Sequence, residues 1–264
     1  MADRTKQATE QVIHITPIET AEAVFHVLGT SPLIINRVSQ KAQRELLSPH
    51  GPKNKAERAQ TMKHDPVAEF RASPYLSESP SDPTYLLAPS PWFKAAMKSA
   101  ALDLPGSSKA QIGRLCYVMG EYVPLYGTPQ LLMSIVRSAD INHTPDIRSR
   151  AILREWCATV TVRWVEPLLN QQAIANLLHA GGTLSGVGDW RQQKGSGSYG
   201  QFKLVSDDDA DLQRIMKSSG YDPQATAMQT PTAYDSETGE LMSWYMTETE
   251  RRGPSAVVPK VPKA

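Results

Sequence analysis

Glycine, aromatic and basic residues lie close together in residues 186–203, GVGDWRQQKGSGSYGQFK. Basic side chains neutralise phosphates, aromatic rings stack on bases, and glycines let backbone N–H groups approach a strand closely. The stretch therefore predicts contact with a single-stranded polyanion, with a long hairpin loop of permissive turns as the alternative interpretation. The residues assigned to that contact are Arg191, Lys194 and Lys203 for phosphates, Trp190 and Tyr199 for bases, and Gly188, Gly195, Gly197 and Gly200 for close approach.

Four further cations would widen this basic surface. Lys94 and Lys98 are one helical turn apart, and Arg154 and Arg163 belong to a stretch rich in strand-forming residues. All four are assigned to nucleic-acid binding. The ordinary alternative for the lysines is a solvated helix face, because charged residues usually lie on the surface.

Motifs for catalysis or cofactor binding are missing from the sequence. GSGSYG at 195–200 matches G-x-G-x-x-G but precedes an expected strand instead of opening a helix, and no P-loop, H-E-x-x-H or C-x-x-C spacing occurs. The acidic run at 207–211 suits a helix start better than a metal site. We therefore expect no catalytic residue, no metal and no cofactor. A metal-independent ribonuclease with His26 or His143 as general acid or base is the alternative.

Composition favours a soluble chain. The sequence has 264 residues and a net charge of +1, and no apolar run approaches the ~20 residues that span a bilayer. Its two cysteines lie in apolar runs, which predicts buried free thiols in a cytoplasmic protein with no membrane partner. Basic residues are in excess over 34–114 and acidic residues over 206–264, a division typical of a basic binding face beside an acidic tail.

Secondary-structure signals place these residues on a series of strands and helices. Strands are predicted within 11–29, 84–90 and 111–137, as one long strand over 151–165, and near 199–206. Helices are predicted over 90–102, with Phe93 and Met97 facing the core, and over 170–180, with Asn170 as N-cap. Shorter helices are expected after Ser39, within 67–76 and after 207.

This element order predicts an α+β fold. The pattern fits a ferredoxin-like βαββαβ core, an antiparallel sheet with helices on one face, whose open face resembles the surface that RNA-recognition folds use. The expected organisation is an N-terminal extension (1–19), a core (20–206) carrying a flexible basic insertion (48–66), and an acidic helix with an extended C-terminal arm (207–264).

The glycine-rich stretch resembles a feature of the RAMP superfamily, the ferredoxin-like RNA-binding proteins of CRISPR effector complexes. In their backbone subunits a glycine-rich, basic segment with a "GYG" or "GFG" motif joins the second helix to the last strand. Ser198–Gly200 stands in that place here. The catalytic His or Asp of the processing members has no convincing match. The resemblance therefore implies binding without cleavage.

A longer part of the chain resembles a family of tailed-bacteriophage proteins of uncharacterised function. That resemblance spans about residues 20–205. Its motifs are SPLI (Ser31–Ile34), FKAA (Phe93–Ala96), the strand at 151–165 and the glycine-rich stretch at 186–202.

Taken together, the residues and the resemblances lead to one expected function and, besides the ribonuclease, one further alternative. We expect a non-catalytic protein that assembles head-to-tail along single-stranded DNA or RNA, in phage replication or recombination or in a CRISPR-like complex, within the cytoplasm of a bacterial host. The alternative is a structural protein that oligomerises when LMSWYM (241–246) adds a strand to a neighbour's sheet edge.

Overall fold

The computed structural model describes residues 17–37, 62–137, 144–193 and 197–253. The helix predicted after Ser39, residues 48–61 of the basic insertion, His143, Lys194 and Gly195 lie outside these ranges.

Within the described ranges the chain has an α+β fold with ten strands and seven α-helices. The strands are β1 (Glu19–Gly29), β2 (Leu33–Ile35), β3 (Tyr75–Leu76), β4 (Leu86–Pro89), β5 (Cys116–Val118), β6 (Tyr122–Tyr126), β7 (Pro129–Arg137), β8 (Pro145–Leu153), β9 (Cys157–Glu166) and β10 (Phe202–Val205). The helices are α1 (Pro66–Ala72), α2 (Ser90–Ala100), α3 (Lys109–Leu115), α4 (Gln171–Ala180), α5 (Ala210–Ser218), α6 (Tyr221–Gln229) and α7 (Ser236–Arg252).

The larger sheet has seven strands in the order β10-β1-β9-β6-β4-β3, and β5 also pairs with β9. All of its pairings are antiparallel. The register places Phe25 opposite Val160 and Leu125 opposite Ala158, so apolar side chains of neighbouring strands share a face.

Two helices cover that apolar face. Phe93 and Met97 of α2 and Ile174 and Leu178 of α4 are buried in the same core as Phe25 of β1. Asn170 caps α4, as predicted, by accepting a hydrogen bond from the Ala173 amide at 2.8 Å. The helix then runs into a π-helical turn (Gly181–Ser185) that leads to the glycine-rich stretch.

Among the described residues, the opposite face is covered at one end only. Leu212 and Ile215 of α5 pack there on Leu28 and Cys157. Alternate residues of a strand point to opposite faces of the sheet. The side chains on the uncovered part are mostly polar, with Val24 as an aliphatic residue and Tyr117 as an aromatic one. We call it the open face, and its residues are Val24, His26, Tyr117, Thr159, Thr161 and Arg163.

The second sheet has three antiparallel strands in the order β2-β8-β7. The C-terminal helices pack against it and against the edge of the first sheet. The buried Gln224 of α6 accepts from the Leu86 amide at 2.9 Å and donates to the Leu125 and Gly127 carbonyls at 2.8 and 2.9 Å. Thr238 of α7 accepts from the Met133 amide at 3.3 Å, which ties that helix to β7.

The single strand predicted over 151–165 is wrong, because the chain changes sheets within it. β8 ends at Leu153 and belongs to the smaller sheet, whereas β9 begins at Cys157 and belongs to the larger one. At the break the fully buried Trp156 donates its indole N–H to the Ser31 carbonyl at 2.8 Å. Arg154 and Glu155 are exposed there.

Two other predictions are corrected. Residues 109–115 form α3 instead of a strand, since Ser108 caps the helix by accepting from the Gln111 amide. The C-terminal segment is not an extended arm over 221–252, because α6 and α7 occupy it and Asp235 caps α7. LMSWYM is therefore helical, and the proposed addition of a strand by that motif is wrong for this structure.

Residues at the end of the predicted basic insertion are fixed by ionic contacts. His64 lies between two carboxylates, at 2.6 Å from Glu69 and 2.8 Å from Asp146, and Lys63 contacts the same Asp146 oxygen at 2.5 Å. Partial burial raises the pKa of Asp146, but the hydrogen bonds from Lys63 and His64 outweigh it, so the pKa lies below its ordinary value. These contacts join the α1 end of the insertion to β8.

Asp146→Asn should lower the free energy of unfolding by about 1 kcal/mol at neutral pH, because the variant loses charge-assisted hydrogen bonds. A carboxyl whose folded pKa is lowered stabilises the fold above its unfolded pKa, and that contribution is lost as the pH falls through the folded value. Urea unfolding at a series of pH values should therefore show the parent and the variant converging below about pH 4. A difference that stays constant with pH would contradict this assignment.

Candidate nucleic-acid interface

The glycine-rich stretch is held against β2 by backbone hydrogen bonds. The Val187 amide donates to the Gly200 carbonyl at 2.9 Å, and the Gly200 amide donates to the Pro32 carbonyl at 2.8 Å. The Asp189 amide donates to the Ile34 carbonyl at 2.9 Å, and Arg191 forms an isolated β-bridge with Tyr199. Residues 186–193 and 197–201 are therefore two segments that pair with each other and lie on the smaller sheet, and we call these two segments the hairpin.

The glycines of this hairpin lie against the protein's own backbone. A Cβ atom on Gly197 would overlap the Trp190 carbonyl, and one on Gly200 would overlap the Val187 carbonyl. At Gly188 it would overlap Leu33 and Ile34. Gly188 and Gly200 also have positive φ, a conformation that glycine adopts without steric cost. These contacts explain the three glycines without a ligand, and their contact with nucleic acid stays a prediction.

Two of the predicted aromatic residues form a stacked pair. The rings of Trp190 and Tyr199 have centroids 5.7 Å apart and planes inclined by 21°. Tyr199 packs on the cluster of Ile34, Leu132 and Ile152, whereas Trp190 remains 39% exposed. Trp190 has a φ of 52°, and it is the only non-glycine residue of the described ranges with positive φ. Such backbone conformations are costly and are concentrated at functional sites.

Arginines accompany this aromatic pair. Arg191 donates to the Gly188 carbonyl at 2.8 Å, which fixes it on the hairpin. The Arg154 guanidinium lies 4.2 Å from the ring centre of Tyr234, which packs on the same apolar cluster as Tyr199. We call this set the loop surface; its residues are Arg154, Trp190, Arg191, Tyr199 and Tyr234.

The carboxylate that precedes Trp190 in the chain, Asp189, is neutralised. The buried Arg150 contacts Asp189 at 2.6 Å, and the Asn36 amide donates to the same carboxylate at 2.9 Å. Arg150 and Tyr234 were not predicted, because nothing in the sequence places residues 150, 189 and 234 side by side. Alternation along β8 puts Arg150 on the same face as Ile152, and this is the one local signal for its position.

The other predicted cations that are described lie outside the loop surface, Arg163 and Lys203 on strands of the larger sheet and Lys94 and Lys98 on α2. Arg163 is on the open face, where it contacts Glu22 at 2.9 Å, and Lys203 is exposed on β10. The Lys94 ammonium lies 4.4 Å from the ring centre of Tyr117, which is the register partner of Arg163. Lys98 extends over Gly113 of α3. The predicted site residues that are described therefore form two surfaces instead of one.

The described histidine of the ribonuclease alternative belongs to β1. His26 lies on the open face with its Nδ1 at 3.2 Å from the Thr159 hydroxyl. In the same ranges no three or more His, Cys, Asp or Glu side chains are grouped so that they could hold a metal ion. Cys116 and Cys157 are free and buried, as predicted, and burial raises the pKa of Cys157 to about 12.

Across the described parts of the chain, no helix is both long enough and apolar enough to cross a membrane.

No protein-family model matches the chain, and no curated protein matches it. Function is therefore inferred from the loop surface and the open face.

Proposed function

We propose that this protein is a non-enzymatic single-stranded nucleic-acid-binding protein whose ligand crosses the loop surface. The observation that carries the proposal is the exposed Trp190, stacked on Tyr199, with Arg191 fixed beside it in the chain and Arg154 over Tyr234, which packs on the same apolar cluster as Tyr199. A base that stacks on an aromatic side chain gains roughly 1–3 kcal/mol, and neighbouring guanidinium groups neutralise the phosphates on either side.

The fold supports this proposal. We infer a ferredoxin-like core made of β1, α2, β6, β9, α4 and β10, because the strand order β10-β1-β9-β6 and two helices on one face are what that topology requires. The glycine-rich hairpin lies between α4 and β10, in the position given by the RAMP resemblance. A RAMP-like, phage-encoded protein of the bacterial cytoplasm is part of the same proposal.

Head-to-tail assembly along the strand is the second part of the proposal. α7 exposes Trp244 and Met246 at 59% and 60%, and Glu237 and Glu240 are exposed on the same helix. Exposed apolar residues of this size beside carboxylates are suited to contact with a basic surface of another copy.

The same exposed residues favour a second candidate function, a structural protein that assembles without nucleic acid. In that case the exposed Trp244 and Met246 of α7 would make the contact between copies of the protein. Sedimentation of the parent with and without an oligonucleotide separates the two functions. Oligomers that form without nucleic acid and dissolve in Trp244→Ser would favour the structural role.

Trp190→Ala should weaken binding of a labelled oligo-dT or oligo-rU about tenfold or more, because it removes one stacking platform. Arg154→Gln should weaken binding to both oligonucleotides by a similar factor and reduce the salt dependence, since it removes one phosphate contact. Fluorescence polarisation at about 50 mM salt and at a series of higher salt concentrations measures the affinities and their salt dependence.

Leu168→Ala is the matched control, because Leu168 is 68% exposed and lies outside the loop surface. We expect its affinity to equal that of the parent. A parent that binds neither oligonucleotide at low salt would overturn the proposed function. Unchanged binding by Trp190→Ala would overturn the site.

A further inference from the structure

Trp190, on which the proposed base contact depends, is held in a backbone conformation that few residues adopt. Its φ of 52° lies in the left-handed region, and a residue stays there only when its surroundings over-determine it. The side chain is 39% exposed, so its own burial is incomplete. Contacts of the Trp190 backbone must therefore hold much of the conformation.

The Trp190 backbone is contacted at both of its polar groups. Its amide donates to Oδ1 of Asp189 at 2.9 Å, and its carbonyl lies so close to Gly197 that a Cβ there would overlap it. The Asp189 amide in turn donates to the Ile34 carbonyl at 2.9 Å, which fixes Asp189 on β2. The Asp189 side chain therefore links a fixed residue to the amide of the strained one.

The other oxygen of the Asp189 carboxylate is held by two donors. Arg150 donates to Oδ2 at 2.6 Å from Nη1, and the Asn36 amide donates to the same oxygen at 2.9 Å. The Arg150 side chain is only 6% exposed, and its Nη2 donates to the Ser134 hydroxyl at 2.6 Å. A buried guanidinium requires a charged partner, because a buried charge without one is strongly destabilising. Arg150 therefore anchors the carboxylate that contacts Trp190.

We propose that Asp189 is a positioning residue for nucleic-acid binding: anchored by Arg150, its carboxylate holds Trp190 in the conformation that presents the ring to a base. An unpaired carboxylate beside a phosphate-binding surface would repel the ligand, because like charges placed together oppose association. The ion pair with Arg150 offsets that repulsion and keeps both carboxylate oxygens in use. This inference rests on the proposed function, because it concerns the residue that carries that function.

Asp189→Asn gives a result of opposite sign for the two possible roles of this carboxylate. Loss of a negative charge alone should tighten binding to a polyanion. If Asp189 positions Trp190, the variant should instead bind oligo-dT about fivefold more weakly, because a base stacks less well on a displaced ring. The Asn side chain has one acceptor oxygen, which cannot serve Trp190 and Arg150 together.

Fluorescence polarisation at about 50 mM salt measures the affinity, with the folded fraction checked by circular dichroism. Asp103→Asn is the matched control, since Asp103 is exposed in the turn after α2 and lies outside the loop surface. Its affinity should equal that of the parent or be slightly higher. If Asp189→Asn binds as tightly as the parent, or more tightly, the positioning role is wrong.

A double-mutant cycle separates positioning from a general loss of stability. In the Trp190→Ala background, Asp189→Asn should weaken binding no further, because the ring that Asp189 positions is already gone. Equal weakening in both backgrounds would show that Asp189 only stabilises the fold. If Trp190→Ala alone weakens binding, the positioning role fails and the proposed function stands. A parent that does not bind overturns the function itself.

Asn36→Ala is a milder variant, because it removes one donor from the Asp189 carboxylate and leaves the buried ion pair intact. The chain has five tryptophans, so a ¹H–¹⁵N spectrum contains five indole signals, and the signal missing in Trp190→Phe belongs to Trp190. That signal should shift in Asn36→Ala and further in Asp189→Asn, whereas the signal of the buried Trp156 should stay in place. A Trp190 signal that is unchanged in both variants would contradict the proposal.

Discussion

Trp156→Ala should lower the free energy of unfolding by about 4 kcal/mol, because truncating a fully buried aromatic residue leaves a large cavity. Trp156 is 0% exposed and packs edge-on against Phe202, with ring centroids 6.0 Å apart. Its indole N–H donates to the Ser31 carbonyl at 2.8 Å, and its own carbonyl accepts from the Gly29 amide at 2.8 Å. The side chain therefore stabilises the point where the chain passes from one sheet to the other.

Trp244→Ala is the control for this prediction, since the same substitution is made at a residue 59% exposed. We expect it to change stability by less than about 0.5 kcal/mol. Trp156→Phe should give an intermediate loss, because it retains a ring and removes the hydrogen bond to Ser31. Urea unfolding monitored by circular dichroism measures all three. Equal losses in Trp156→Ala and Trp244→Ala would contradict the burial of Trp156.

The helices with local signals were predictable from the sequence. Asn170 before an apolar stripe fixes the start of α4, and the burial of Phe93 and Met97 confirms the helical spacing on α2. Asp209 caps α5 by accepting from the Leu212 amide at 3.0 Å, as the acidic run indicated. Caps and periodicity act over three or four residues, so a local window contains the information.

The sheets were harder to predict because alternation does not identify a partner strand. Ile152, Trp156 and Val160 are all buried and keep the same parity, yet Ile152 belongs to the smaller sheet and Val160 to the larger one. The period-2 pattern continues across the change of sheet, and it therefore predicted one strand instead of two. Only contacts distant in sequence, such as that of Trp156 with Ser31, reveal the break.

The last two helices were missed because apolar residues lie on both faces of α7. Leu241, Met242 and Tyr245 pack towards the core at helical spacing, but Trp244 and Met246 between and beside them are exposed, so the run LMSWYM does not separate an inner from an outer face. Its position depends on contacts with β7, such as the Met133 amide on Thr238, and these lie 105 residues apart in sequence.

The candidate site was predictable in residue type but not in arrangement. Trp190, Tyr199 and Arg191 lie together because they share one hairpin. Tertiary packing places Tyr234 on the loop surface and Tyr117 on the open face. The sequence has no local signal for that packing.

Gly200→Ala should destabilise the fold by about 3 kcal/mol or more, because two costs combine at this position. A left-handed conformation costs an L-residue roughly 1–2 kcal/mol, and Gly200 has a φ of 71°. An added Cβ would also overlap the Val187 carbonyl, whose amide is paired with the carbonyl of Gly200 itself. The two segments of the hairpin would have to separate at Val187 and Gly200 to relieve the overlap.

Gly106→Ala separates the two costs, since Gly106 has a φ of 79° and no atom within 4 Å of an added Cβ. Gly106→Ala should lower the free energy of unfolding by only about 1 kcal/mol, because this variant has the conformational cost without a steric overlap. If thermal or urea unfolding shows the same loss of stability for Gly200→Ala and Gly106→Ala, the overlap with Val187 contributes nothing to the destabilisation. A much larger loss in Gly200→Ala would mean that the glycine serves the hairpin, which in turn presents Trp190 and Arg191. Weak nucleic-acid binding by that variant would then report a displaced surface, whereas Trp190→Ala, which leaves the glycines in place, tests the contact itself.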